Sequence, residues 1–79
     1  MANVRVFSTS TCSYCVTLKN FLKENNIDFL EIDVASDEVS QKEMIEKTGQ
    51  MGVPVIDING DFIVGFEKEK ISQLLGIGN

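Results

Sequence analysis

Histidine and tryptophan are absent from this chain, and proline and tyrosine occur once each among its 79 residues. Without histidine, the Cys–His ion pair of cysteine hydrolases cannot be built. Without tryptophan, no indole platform can flank a reactive group. Basic residues are few, seven against twelve acidic, for a net charge of −5. They are scattered along the chain, which argues against nucleic acid, where a basic patch supplies most of the affinity. No apolar run reaches membrane-spanning length. The opening "MANVRVFS" has neither the charged nor the long apolar region of a secretory signal. These absences make the cytoplasm the expected compartment, with neither nucleic acid nor membrane as a partner.

The chain is short enough to be one domain, residues 1–79. A domain of this size buries only roughly 60% of the surface its unfolded chain exposes, so its core is thin. Its hydrophobic content of 43% is ordinary for a globular protein.

Short apolar segments with clear punctuation follow one another. "NVRVFS" (Asn3–Ser8) is β-branched and aromatic and predicts a strand. In "TCSYCVTLKNFLKENN", Cys15, Leu18, Phe21 and Leu22 recur at helical spacing. Ser10 or Thr11 is the expected cap, and Asn25-Asn26 the expected end. "IDFLEIDV" (Ile27–Val34) alternates as a strand with cover on both faces. "SDEVSQKEMIEKTG" predicts a second helix, capped by Ser36 and closed by Gly49, with Val39, Met44, Ile45 and Thr48 as a thin apolar stripe. "VPVIDI" and "FIVGF" flank Asn59-Gly60-Asp61, a strong hairpin signal. "EKEKISQLLG" predicts a last helix with Ile71, Leu74 and Leu75 on one face. The predicted order is β-α-β-α-β-β-α, an α/β fold with one mixed sheet and helices on both faces.

Only two cysteines are present, in "STCSYCV" at Cys12 and Cys15. A C-x-x-C pair can be a redox couple, half of a metal site, or two inert buried thiols. A closed zinc site needs four ligands, which this chain could reach only as a dimer. A disulfide closing so small a loop stabilises little. The pair falls at a strand-to-helix junction. There, free backbone N–H groups and the positive helix end favour a thiolate at Cys12. Only the thiolate attacks disulfides, so redox chemistry is the favoured reading, with Cys12 as nucleophile and Cys15, on the core-facing stripe, as resolving thiol. The hydroxyls of Ser10, Thr11 and Ser13 can serve as helix caps or help to hold the charge. Pro54, in Gly52-Val53-Pro54, suits a strand start. By base rate its peptide bond would be trans.

Taken together, the strand before Cys12-Ser13-Tyr14-Cys15, the Val53-Pro54 before a hairpin and the Gly65-Phe66-Glu67 before a helix resemble the glutaredoxins, and more narrowly the small bacterial glutaredoxin-like redoxins. The resemblance spans essentially the whole chain and implies the minimal thioredoxin fold with a four-stranded sheet. It implies Cys12 as nucleophile and Cys15 as resolving cysteine. It also implies a substrate groove bordered by Thr11 and Tyr14, a cis Pro54, and a Val53 backbone that pairs with a bound peptide or glutathione. Gly65, Phe66 and Glu67 match the segment that holds the γ-glutamyl end of glutathione.

The chain departs from that pattern at several positions. Ser13 stands where the family usually has Pro, Gly52 where it has Thr, and Val64 at the first position of its Gly-Gly. Thr9 replaces a cation often found before the first cysteine, and Glu67 replaces Asp. The resemblance thus implies a monomeric dithiol–disulfide oxidoreductase without a bound cofactor. The departures favour a flavoprotein such as thioredoxin reductase as its donor, with glutathione as the alternative reductant. Its disulfide substrates would be proteins such as ribonucleotide reductase or a peroxide-removing enzyme. The alternative from another class is a dimer sharing zinc or an iron–sulfur cluster through Cys12.

Overall fold

A computed structural model describes residues 3–77. The elements run β1 (Val4–Ser8), α1 (Ser13–Glu24), β2 (Leu30–Asp33), α2 (Glu38–Thr48), β3 (Val55–Ile58), β4 (Asp61–Val64) and α3 (Lys68–Leu75). The sheet order is β2-β1-β3-β4. β1 and β2 are parallel, joined through α1, while β1–β3 and β3–β4 are antiparallel. This is the minimal thioredoxin fold, in the element order that the sequence predicts.

Side chains alternate across the sheet, so one strand feeds two cores. Val4, Val6, Ile56, Ile58 and Ile63 pack with Leu18 and Leu22 of α1 and Ile71 of α3. Phe7 and Val55 face the other way, onto Met44 of α2 and onto Val34, just past β2. β2 is shorter than the predicted Ile27–Val34 and, as an edge strand, is not covered on both faces: only Ile32 is partly buried, at the second core, and Leu30 is exposed, while Ile27 and Phe29 reach the first core from the segment before the strand. Fully burying a side chain such as Leu18 or Leu22 contributes about 1.5–3 kcal/mol.

Four further predicted details are corrected by the fold. The cap of α1 is Cys12 itself, since neither Ser10 nor Thr11 is placed to accept from the first helical turn. Asp37 rather than Ser36 caps α2, its carboxylate accepting from the Ser40 N–H at 3.1 Å. The apolar stripe of α2 is thinner than predicted: Met44 alone is buried, and Val39 is 79% exposed. On α3 the buried residues are Ile71 and Ser72, while Leu74 faces solvent. A helix at a sheet margin buries a narrow arc, and residues at the arc's edge stay wet.

The hairpin loop is two residues long, with Asp61 already in β4 opposite Ile58. Asn59 and Gly60 both have positive φ, 54° and 97°, the backbone that a two-residue type I′ turn requires and that Asn-Gly tolerates. Asp57 reinforces the turn by accepting from the Gly60 N–H at 2.8 Å. Its other oxygen accepts from Arg5 Nε at 2.7 Å, and Arg5 also makes a bidentate pair with Glu43 of α2. The Arg5 guanidinium lies 5.1 Å from the Phe7 ring centroid and 5.9 Å from that of Phe62. This network ties α2 to the sheet through one partly buried cation.

Candidate active site

Three chain segments meet at one end of the sheet because of strand direction. β1 ends there at Ser8, and β3 begins there, since Phe7 pairs with Val55. β4 also ends there, since Val55 pairs with Val64. The Cys12 loop, the Val53-Pro54 segment and the Gly65-Phe66-Glu67 segment therefore converge, although more than fifty residues separate the first from the last.

Cys12 has extended backbone and occupies the N-cap of α1. Its sulfur accepts from the Cys15 N–H at 3.1 Å. This is the capping bond that Ser or Asp usually makes, here made by a thiol. Cys12 is partly exposed and Cys15 is fully buried; both are free thiols. Burial pushes the Cys15 thiol up to about 11, and the neighbouring Cys12 sulfur adds to that rise. A hydrogen bond from the Thr9 backbone and the charge of Lys19 act in the opposite direction.

Pro54 follows a cis peptide bond after Val53, as the resemblance implies and against the base rate. The Pro54 carbonyl accepts from the Gly65 N–H at 2.7 Å, which joins two of the converging segments directly. Gly65 has a φ of 82°, which any residue with a Cβ adopts at a cost. Val64 lies in the β4 ladder, so the turn needs glycine only at the second of the two positions. The loop before Val53 is held by a residue that periodicity does not reveal. The Gln50 side-chain amide donates to the Gly52 carbonyl at 3.1 Å and accepts from the Gly52 N–H.

Thr11 precedes Cys12 and Tyr14 lies between the two cysteines; both are exposed, Tyr14 at 68%. Phe66 turns inward instead. Its ring meets Phe21 of α1 edge-on, with centroids 5.5 Å apart, and it borders the first core. A shallow depression of about 300 Å³ lies beside it, lined by Thr17, Asn20, Phe21, Glu24 and Lys68. Glu67 is exposed and precedes α3 without capping it, and its carboxylate lies 3.7 Å from Lys70 Nζ. No cluster of three or more potential metal ligands occurs among the described residues. No helix among them is long and apolar enough to cross a membrane.

A helix-capping cysteine over a buried second thiol, on a thioredoxin fold with a cis-proline alongside, defines a dithiol–disulfide class of protein. The comparisons narrow the class. The glutaredoxin family model matches residues 4–63, and the chain belongs to the glutaredoxin family. It is 44% identical over 72 residues to a glutaredoxin-like 8.6 kDa protein of the rubredoxin operon of Clostridium pasteurianum, covering 91% of this chain and 96% of that one. It is 34% identical over 65 residues to glutaredoxin 3 of Escherichia coli, covering 82% and 78%. Among solved structures, a mutant of the thioredoxin-like protein BC3987 superposes with a TM-score of 0.90 at 33% identity, over 99% of this chain and 100% of that one. Family and fold together make the chain a thiol–disulfide oxidoreductase.

Proposed function

We propose that this single-domain, monomeric chain reduces disulfides in cytoplasmic partner proteins. The Cys12 thiolate attacks a partner disulfide and expels one partner sulfur as a thiolate. A mixed disulfide forms. Cys15 then gives up its proton and attacks the Cys12 sulfur, releasing the second partner thiol and leaving a Cys12–Cys15 disulfide. Two electrons pass to the partner. The observation that carries this reading is the 3.1 Å bond from the Cys15 N–H to the Cys12 sulfur, with Cys15 buried directly behind it. The partner strand would lie against the Val53 backbone, which falls outside the β3 ladder. It would be bordered by Thr11, Tyr14 and Pro54 on one side and by Gly65, Phe66 and Glu67 on the other. Substrates of the ribonucleotide reductase or peroxide-removing type fit this chemistry.

The donor in this reading is a flavoprotein reductase rather than glutathione. Thr9 offers no cation for a glutathione carboxylate, and Glu67 already faces Lys70. The competing reading is glutathione dependence, which membership of the family favours. The deciding experiment exposes the oxidised protein to millimolar glutathione, with acid quench, alkylation and mass analysis. Slow reduction supports the flavoprotein donor; fast reduction through a glutathione adduct establishes glutathione instead. In parallel, Cys12→Ser is expected to abolish disulfide reduction, and Cys15→Ser to trap a covalent complex with the partner. Full activity in Cys12→Ser would overturn the mechanism.

A further inference from the structure

Cys15 is the harder of the two thiols to use, being wholly buried, yet the second half of the cycle requires its anion. On the same face of α1, one turn further on, stands Lys19. Residues spaced i, i+4 on a helix have Cβ atoms about 5–6 Å apart. The Lys19 side chain is only 21% exposed, and its ammonium pairs with Glu31 of β2 at 2.5 Å. Glu31 in turn accepts from the Ser8 hydroxyl at 3.3 Å, where β1 runs into the cysteine loop. The cation is thus held by an acid and a buried hydroxyl rather than left to sweep solvent.

We infer that Lys19, held by Glu31 and Ser8, is a positioning residue for the resolving step, its fixed charge stabilising the Cys15 thiolate as that thiolate forms in the mixed disulfide. The inference rests on the dithiol mechanism proposed above. Its electrostatic surroundings are few. α1 brings Lys19, Lys23 and the Cys12 sulfur. β2 brings Glu31 and, at the position paired with Ser8, Asp33, whose carboxylate accepts from the Ala35 N–H. β1 and β3 add no charge on this face, because Arg5 and Asp57 pair on the opposite one, with Glu43. α3 brings Lys68, which sits over the Phe21 ring. Lys19 is the cation that opposes the burial of Cys15. Glu31 plays two parts, fixing Lys19 in place and offsetting some of its charge.

Atoms balance without a further reagent. Cys15 loses its proton to solvent, its sulfur bonds to the Cys12 sulfur, and the bond from Cys12 to the substrate sulfur breaks. The departing thiolate takes up a proton from solvent.

The test follows the two steps separately, with 2-hydroxyethyl disulfide as probe and acid-quenched mass analysis from pH 6 to 10. The reduced protein first gains a hydroxyethylthiol adduct at Cys12 and then loses it as Cys15 closes the ring. In Lys19→Met the pH midpoint of the second step is expected to rise by roughly half a unit, about a threefold loss of rate below the midpoint. The limiting rate at high pH and the rate of adduct formation stay at their wild-type values, and Lys19→Arg restores the wild-type profile. Glu31→Gln moves the midpoint down, because the cation loses its counter-charge. An unchanged midpoint in Lys19→Met, a uniform slowing at every pH, or an upward shift in Glu31→Gln matching that of Lys19→Met would each overturn the inference while leaving the dithiol mechanism intact. Failure of the wild type to form the adduct would overturn the mechanism and the inference with it.

Discussion

Selective alkylation tests the asymmetry of the two thiols directly. The perturbation is brief exposure of the reduced protein to iodoacetamide at pH 8, followed by peptide fragmentation to locate the label. Cys15 is 0% exposed and its thiol is pushed up to about 11. A thiol titrating there is about one part in a thousand ionised at pH 8, whereas an ordinary free thiol, titrating near 8.5, is about a quarter ionised. Ionisation alone therefore slows Cys15 about two-hundredfold relative to the same residue in guanidinium-unfolded protein, and lack of access slows it further. The expected product is a chain labelled once, at Cys12. The pH dependence follows from the sign of the shift. Labelling of Cys15 rises about tenfold for each pH unit from 8 to 10 and levels only toward 11. Cys15 labelling within tenfold of its unfolded rate at pH 8, or reaching a plateau by pH 9, would refute the burial argument and with it the assignment of Cys15 as the protected partner.

Three further outcomes follow from the fold. Asp57→Ala removes an ion pair and a turn-closing hydrogen bond, both at a buried carboxylate, and should cost about 3 kcal/mol. Urea unfolding followed by circular dichroism measures it; a loss under about 1 kcal/mol would show that Glu43 and water replace both partners. Leu18→Ala opens a cavity between α1 and the sheet and should cost about 2–5 kcal/mol, read the same way. Glu31 and Glu43 are held below the ordinary carboxylate range by hydrogen bonds from Lys19 and Arg5 respectively. Depressed carboxylates contribute their stability above the unfolded value, about 4.3, and lose it as pH falls through the folded value. Acid titration of Glu31→Gln and Glu43→Gln should therefore show a smaller loss of stability below about pH 4 than in the parent chain.

Much of the architecture is local chemistry and was legible along the chain. The β-branched and aromatic run Val4–Ser8, the helical spacing of Cys15, Leu18 and Leu22, and Asn59-Gly60 each report a backbone preference that a few residues settle. The misses lie at boundaries. Cys12 capping its own helix was hidden because a thiol is not an expected cap, and Ser10 and Thr11 competed for the place. Asp37 displaced Ser36 because a carboxylate reaching the Ser40 N–H starts the helix one residue later. Val39 and Leu74 fit an apolar stripe by spacing, but spacing does not say how wide an arc the neighbouring sheet will cover.

The sequence by itself determined the element order, the exclusion of histidine chemistry, and a lone cysteine pair at a strand-to-helix junction, because all three depend on residue identity and short-range spacing. Only the tertiary structure decided how distant segments are joined. It set the Gly65 N–H on the Pro54 carbonyl, turned Phe66 onto Phe21, and clamped Arg5 between Asp57 and Glu43. It also brought Lys19 to Glu31 behind the buried thiol. Those contacts depend on strand order and register, and a one-residue slip of its strand would send Arg5, Glu31 or Asp57 to the other face of the sheet, away from its partner.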